Sequence, residues 1–203
     1  MPCVYEHDFF VSYPHMPGQI LLSEFVEELV REIIRQRVGE RLTEPVYLDR
    51  QRLQPGFVWA TELSRALCHS RCMLAVYTDQ YFSREYCLRE WDAMVDLEIK
   101  RVGVTSRRMI IPILLRAARN EQGELDLPVR MQELQYEDFR SIIAPKQQFK
   151  TLGAKKKVEK LLERIDDLRR RSQNPNVDCD TYEAFAKSAP QPAPLDSFGG
   201  NWG

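Results

Sequence analysis

A chain of 203 residues, 43% of them hydrophobic, has room for one α/β domain with a full core and some tail. Its charges nearly cancel, 29 basic residues against 30 acidic ones, which removes any electrostatic case for nucleic acid or an anionic membrane surface as a partner. No apolar run approaches the roughly 20 residues of a membrane helix, and the opening MPCVYEHDFF lacks the basic and apolar regions of a signal peptide, so the expected compartment is the cytosol.

In chain order, HDFFVSYP (7–14) is a short β-prone run closed by proline, the pattern of a buried strand. In QILLSEFVEELVREIIRQRV (19–38) the apolar residues fall at 22, 25, 26, 29, 30, 33 and 34, the helical period, with Gly39 at the stop position. PVYLD (45–49) is a second strand, RQRLQPG (50–56) a turn-rich loop, and FVWATELSRALCHS (57–70) a second amphipathic helix. RCMLAVYT (71–78) is a third strand whose continuous apolar centre suits a sheet covered on both faces. Residues 80–101 have the period of a third helix. RRMIIPILLR (107–116) is a fourth strand, where Pro112 would break a helix but is tolerated at an edge or bulge. A polar stretch (117–133) leads to a fifth short strand in ELQYEDFRSI (133–142) and a last, highly charged helix in FKTLGAKKKVEKLLERIDDLRRR (149–171). From 172 to 203 Pro, Ser, Gly, Asn and Asp dominate, the composition of a disordered tail, in which Tyr182, Phe185, Phe198 and Trp202 are spaced like anchors for a partner.

Strands alternating with helices imply a flavodoxin-like three-layer sandwich with a five-stranded parallel sheet. Ligands of such sheets gather outside the carboxyl ends of the strands. Here those ends are Ser12-Tyr13-Pro14, Asp49-Arg50, Thr78-Asp79, Leu115-Arg116 and Phe139-Arg140. The five cysteines (3, 68, 72, 87 and 179) are odd in number and irregular in spacing, which argues against a disulfide framework. Cys68-His69-x-x-Cys72 has no second pair to complete a tetrahedral metal site, so these cysteines are expected to be small buried hydrophobes.

The third helix carries the residue of most interest. At about 100° per residue, Leu88, Trp91, Met94 and Val95 form its core stripe, and Glu90 falls about a right angle away, at the border, with Tyr86 one turn before it. Ser83 has the position of an N-cap, with Glu85 in the first turn. Periodicity alone favours the ordinary reading of Glu90, a boundary charge on a helix flank.

Three motifs occur in order: Asp8-Phe9-Phe10-Val11-Ser12-Tyr13, the loop Asp49-Arg50-Gln51-Arg52-Leu53-Gln54-Pro55-Gly56, and Ser83-Arg84-Glu85-Tyr86-Cys87-Leu88-Arg89-Glu90. Over about residues 5–170 the chain resembles the TIR (Toll/interleukin-receptor) domain, specifically its bacterial and plant-like NAD-cleaving branch. The match rests on that family's aspartate–aromatic–serine–tyrosine strand, its Gly-containing turn after the second strand, and its tryptophan–cysteine–x–x–glutamate signature. Tyr86 stands where the family has tryptophan, keeping a stacking face of smaller area.

The resemblance implies an NAD+ glycohydrolase or ADP-ribose cyclase that cleaves the nicotinamide–ribose bond and is activated by self-assembly, in bacterial immune (antiviral) defence or signalling. Glu90 is then the catalytic glutamate. Phe10 lines the nicotinamide pocket, Ser12, Ser83 and Tyr86 shape the site, and Asp49, Arg50 and Arg52 belong to the gating loop, whose arginines meet the pyrophosphate. The bland alternatives are Phe10 as core, Asp49 as a loop charge and the arginines as solvated residues. NAD+ enters as substrate, and neither a metal nor a cofactor is implied. TIR–TIR contacts are expected through the loop at 50–56 and the last helix, with Trp59 as core or assembly contact. The main alternative is a non-catalytic TIR–TIR adaptor module, against which the Tyr86-Cys87-x-x-Glu90 sequence argues. A response-regulator-like receiver lacks the acidic pair at the end of the first strand, and no G-x-G-x-x-G supports a Rossmann dehydrogenase.

Overall fold

The computed structural model describes residues 4–15, 20–36, 46–48, 59–102, 109–116, 126–128, 132, 134–171 and 177–182. Five parallel strands, His7–Ser12 (β1), Val46–Leu48 (β2), Ser70–Tyr77 (β3), Ile110–Leu114 (β4) and Glu137–Asp138 (β5), pair in the order β2-β1-β3-β4-β5. This is the flavodoxin-like sheet expected from the alternation of strand and helix periods. Its register sets Phe10 opposite both Tyr47 and Met73, and Ala75 opposite Pro112. Among the described residues β5 pairs only with Ile113 and Leu114, so Pro112 lies in the part of β4 with a single neighbour, where a missing N–H is tolerated.

The helices are Ile20–Gln36 (α1), Trp59–His69 (α2), Glu85–Val102 (α3), Pro145–Gln148 (α4) and Leu152–Arg171 (α5), with a 3-10 turn at Tyr81–Ser83. Alternate strand residues feed two cores, as the two-residue period of a strand requires. Phe9, Val11, Leu74 and Val76 pack with α1 and α5, while Phe10, Met73, Ala75 and Tyr77 pack with α2 and α3. The continuous apolar run of β3 follows from burial on both sides.

Four departures from the sequence reading have physical causes. The fifth strand is only two residues long, and the buried Glu137 within it is held by Lys160 at 3.0 Å and Arg164 at 3.1 Å from α5. The third helix starts at Glu85 rather than 80, because Tyr81–Ser83 first makes a tighter turn.

Third, a disulfide joins Cys68 to Cys179 across 111 residues, whereas the cysteine count and spacing argued against a disulfide framework; Cys72 and Cys87 are buried thiols outside it, as expected of small hydrophobes. Fourth, residues 177–182, inside the stretch expected to be disordered, lie on the domain. Cys179 and Tyr182 are buried in the core of the α2/α3 side. The Tyr182 hydroxyl donates to Ala93 O at 3.1 Å, and Lys100 Nζ sits 5.0 Å from its ring centroid. One cysteine and one aromatic residue suffice to hold a segment whose average composition is that of a linker. Phe185, Phe198 and Trp202 lie outside the described residues. No helix among the described residues is long and apolar enough to cross a membrane.

Candidate active site

The carboxyl end of β1 delivers Ser12 to the α2/α3 side of the sheet, in phase with Phe10. The chain leaving β3 turns at Tyr81–Ser83 and enters α3, whose first turns bring Tyr86, Cys87 and Glu90 towards the same point. These elements meet at the mouth where ligands of parallel sheets bind.

Glu90 lies deeper than the sequence suggests. It is 2% exposed, in a buried line on α3 made of Cys87, Glu90, Trp91, Met94, Leu97, Glu98 and Arg101. This line has the i, i+3, i+4, i+7 spacing of a core stripe. Leu88 and Val95 are only partly buried. The stripe inferred from apolar residues alone is therefore rotated, because Glu90, Glu98 and Arg101 occupy core positions that a count of apolar residues skips.

Three hydroxyl-bearing or carboxylate groups form the heart of the site. Ser12 Oγ donates to Glu90 Oε2 at 2.5 Å, and Tyr81 Oη lies 2.9 Å from Ser12 Oγ. Burial, followed by the neighbouring Cys87 and Glu90, raises the Tyr81 phenol well above its ordinary value, so it stays protonated. Burial and then the Glu90 charge likewise push the Cys87 thiol up, which keeps it a thiol and a poor nucleophile.

Towards solvent, Tyr86 and His15 form an aromatic rim with ring centroids 6.3 Å apart and planes 24° from parallel. The Tyr86 hydroxyl accepts the backbone N–H of His15, and the Tyr13 ring stands 4.2 Å from the imidazole. Burial is the leading cause that raises the Tyr86 phenol too, with Cys87 next.

The expected site residues divide accordingly. Glu90, Ser12 and Tyr86 come together. Phe10 is 0% exposed and stacks on Tyr47 at 5.4 Å, so it is core and presents no surface to a ligand in this conformation. Ser83 is exposed and donates its hydroxyl to Gln80 O at 2.9 Å; it closes the turn before α3 instead of capping that helix or lining the site. Asp49, Arg50, Arg52 and the Trp59 side chain lie outside the described residues. Sequence reasoning missed Tyr81 and His15. Both follow closely on the carboxyl end of a strand, β3 and β1 respectively, which was the available signal. Among the described residues no group of three or more His, Cys, Asp or Glu side chains converges to hold a metal ion.

A parallel sheet of this order is common to several unrelated functions, so the class rests on the family match. A family model described as TIR domain matches residues 9–152, and the chain belongs to that family. Among solved structures it is similar to the TIR domain of the Toll-related receptor TRR-2 from Hydra magnipapillata, with 16% identity, coverage of 78% of this chain and 98% of that chain, and a TM-score of 0.52. It is also similar to the TIR domains of the activated Roq1 resistosome, which recognises the pathogen effector XopQ, with 18% identity, coverage of 81% and 84% respectively, and a TM-score of 0.36. At 16% identity the likeness to the Hydra domain concerns the fold. No curated protein matches the chain.

Proposed function

We propose that this TIR domain is an NAD+ glycohydrolase or ADP-ribose cyclase with Glu90 as its catalytic carboxylate, activated when TIR domains assemble. The observation that carries this reading is the placement of Glu90, a sealed carboxylate at the carboxyl mouth of the sheet, held by the Ser12 hydroxyl at 2.5 Å.

The reaction breaks the bond between ribose C1′ and the nicotinamide nitrogen. The electron pair leaves with nicotinamide, which departs neutral, and the ribose becomes oxocarbenium-like. A nearby carboxylate stabilises that positive charge, the more so where water is excluded. Water then adds at C1′ and releases a proton to give ADP-ribose; attack by an adenine nitrogen instead gives a cyclised isomer. Tyr86 and His15 offer the aromatic rim on which a base can stack.

Activation by assembly follows from the same burial. At 2% exposure Glu90 does not face a ribose in the isolated chain, so contact with a neighbouring domain has to open or complete the mouth. TIR domains self-associate, and Asp49, Arg50 and Arg52 remain part of this proposal as loop residues that meet the pyrophosphate. A cytosolic setting, where NAD+ is abundant, and a role in defence or signalling complete it.

The burial of Glu90, together with the fold shared with a Toll-related receptor, also favours a second reading, the adaptor module, in which the acid is structural. NAD+ turnover at high protein concentration, with products resolved by chromatography, separates the two. Nicotinamide release by wild type that Glu90→Gln abolishes supports the enzyme. Absence of turnover from crowded, assembled wild type leaves the adaptor.

A further inference from the structure

Tyr81 is fully buried and clamped on several sides. Its backbone N–H donates to Thr78 O at 3.1 Å, and its ring stands 5.2 Å from that of Tyr77 and 5.5 Å from that of Phe82. A ring held this way places its hydroxyl at a fixed point. That point is 2.9 Å from Ser12 Oγ and 3.4 Å from the carbonyl oxygen of Cys87.

The direction of the chain of bonds follows from counting hydrogens. Ser12 has one hydroxyl hydrogen, and it goes to Glu90 Oε2 at 2.5 Å. Ser12 Oγ therefore meets Tyr81 as an acceptor, and the phenol hydrogen must point at it. The competing acceptor, Cys87 O, is at the weak limit of hydrogen-bond distance. Aligned O–H groups polarise one another, so the phenol makes the serine a better donor to the carboxylate. A serine hydroxyl is otherwise a free rotor; with the phenol on its lone pair, it has one favoured direction.

We propose that Tyr81 is a positioning residue for the site: its hydroxyl fixes the Ser12 rotor, and through it the orientation of the Glu90 carboxylate. The role in turnover rests on the NAD+-cleaving reading above, whereas the relay itself does not. Burial holds the phenol protonated, so its hydrogen stays available to Ser12.

Two measurements test this on the full chain. The first is independent of activity: the side-chain carboxyl carbon signal of Glu90 in protein labelled with carbon-13 glutamate, assigned by its disappearance in Glu90→Gln. Tyr81→Phe and Ser12→Ala should both move that signal, and the double variant should match Ser12→Ala alone. Tyr77→Phe, which removes a buried phenol that accepts Trp91 Nε1 at 3.2 Å, should leave it in place.

The second measurement is steady-state NAD+ cleavage. Tyr81→Phe, which keeps the ring, should lower kcat about 3- to 10-fold with KM changed less than about twofold, the size expected for one neutral hydrogen bond. Ser12→Ala should lower kcat about 10- to 100-fold, as for a bond to a charged group, and adding Tyr81→Phe to it should cost nothing further. An unmoved Glu90 signal in Tyr81→Phe, or losses from the two substitutions that multiply independently, would overturn the proposal. A wild type inert towards NAD+ would remove the proposed function while the carboxyl signal still decides the relay.

Discussion

Glu90 and Glu98 stand about two turns apart on α3, each sealed from water at 2% and 3% exposure. Glu98 Oε2 accepts the backbone N–H of Met109 at 2.7 Å, at the entry to β4. That donor cannot rotate away, and the bond ties helix to strand. Glu90 is met by a hydroxyl from the exit of β1, itself governed by a second hydroxyl. Burial of an acid on this helix is therefore no mark of chemistry. The distinguishing features are the end of the sheet at which the acid lies and whether its donor is backbone or side chain.

The largest effect should come from loosening the helix that carries both acids. The Cys68–Cys179 bond fastens 177–182 over α3, so Cys179→Ser should lower stability by about 2–5 kcal/mol. Urea unfolding with and without a dithiol reductant measures this. Indistinguishable curves for wild type in the two conditions would remove the strap from the fold's support. In the reducing cytosol of the proposed function this bond opens, so the strap's contribution belongs to the oxidised protein.

Next in size is Glu98→Ala, which leaves the Met109 N–H buried without its acceptor and should cost about 1–3 kcal/mol in a urea titration. A loss within error of zero would mean that Glu98 is not the tie described here.

An exposed carboxylate calibrates the buried pair and gives the smallest effect. The hydrogen bond from Arg140, outweighing partial burial, holds the Asp138 carboxyl down to about 2. The folded value lies below the unfolded one of about 3.9, so the pair's contribution is complete above that pH and is lost as pH falls towards 2. With the Asp138 side chain 43% exposed, solvent screening limits the gain to under about 1 kcal/mol. Arg140→Gln should flatten the acid limb of stability between about pH 4 and 2; an unchanged limb would show that the pair contributes nothing.

The sheet was legible because each element carries its own period. Residues 25, 26, 29, 30 and 33 mark the buried side of α1, and β3 is apolar throughout. Glu90 was legible as a motif residue but not as a buried one, since periodicity counts apolar side chains and the α3 stripe includes two acids and an arginine. Arg101 is accommodated there by the carbonyls of Ser70 and Cys68, partners contributed by other elements that no local pattern announces. Phe10 matched its motif position yet lies in the core, because alternate residues of a central strand face packed layers rather than the mouth. Tyr81 fell at the start of the stretch read as the third helix, where it forms a tighter turn instead, and its partner Ser12 is 69 residues away. The Cys68–Cys179 pairing is equally non-local, and spacing cannot give connectivity.

The contrast between the two acids of α3 is tested most directly by NAD+ turnover per folded molecule for Glu90→Gln beside Glu98→Gln, at concentrations that permit assembly, with melting recorded for both. Glu90→Gln should lose turnover by about 10²- to 10³-fold or more while melting within a few degrees of wild type. Glu98→Gln should keep turnover per folded molecule. Retained activity in Glu90→Gln, or equal loss in both variants, would contradict the assignment of chemistry to Glu90 and structure to Glu98.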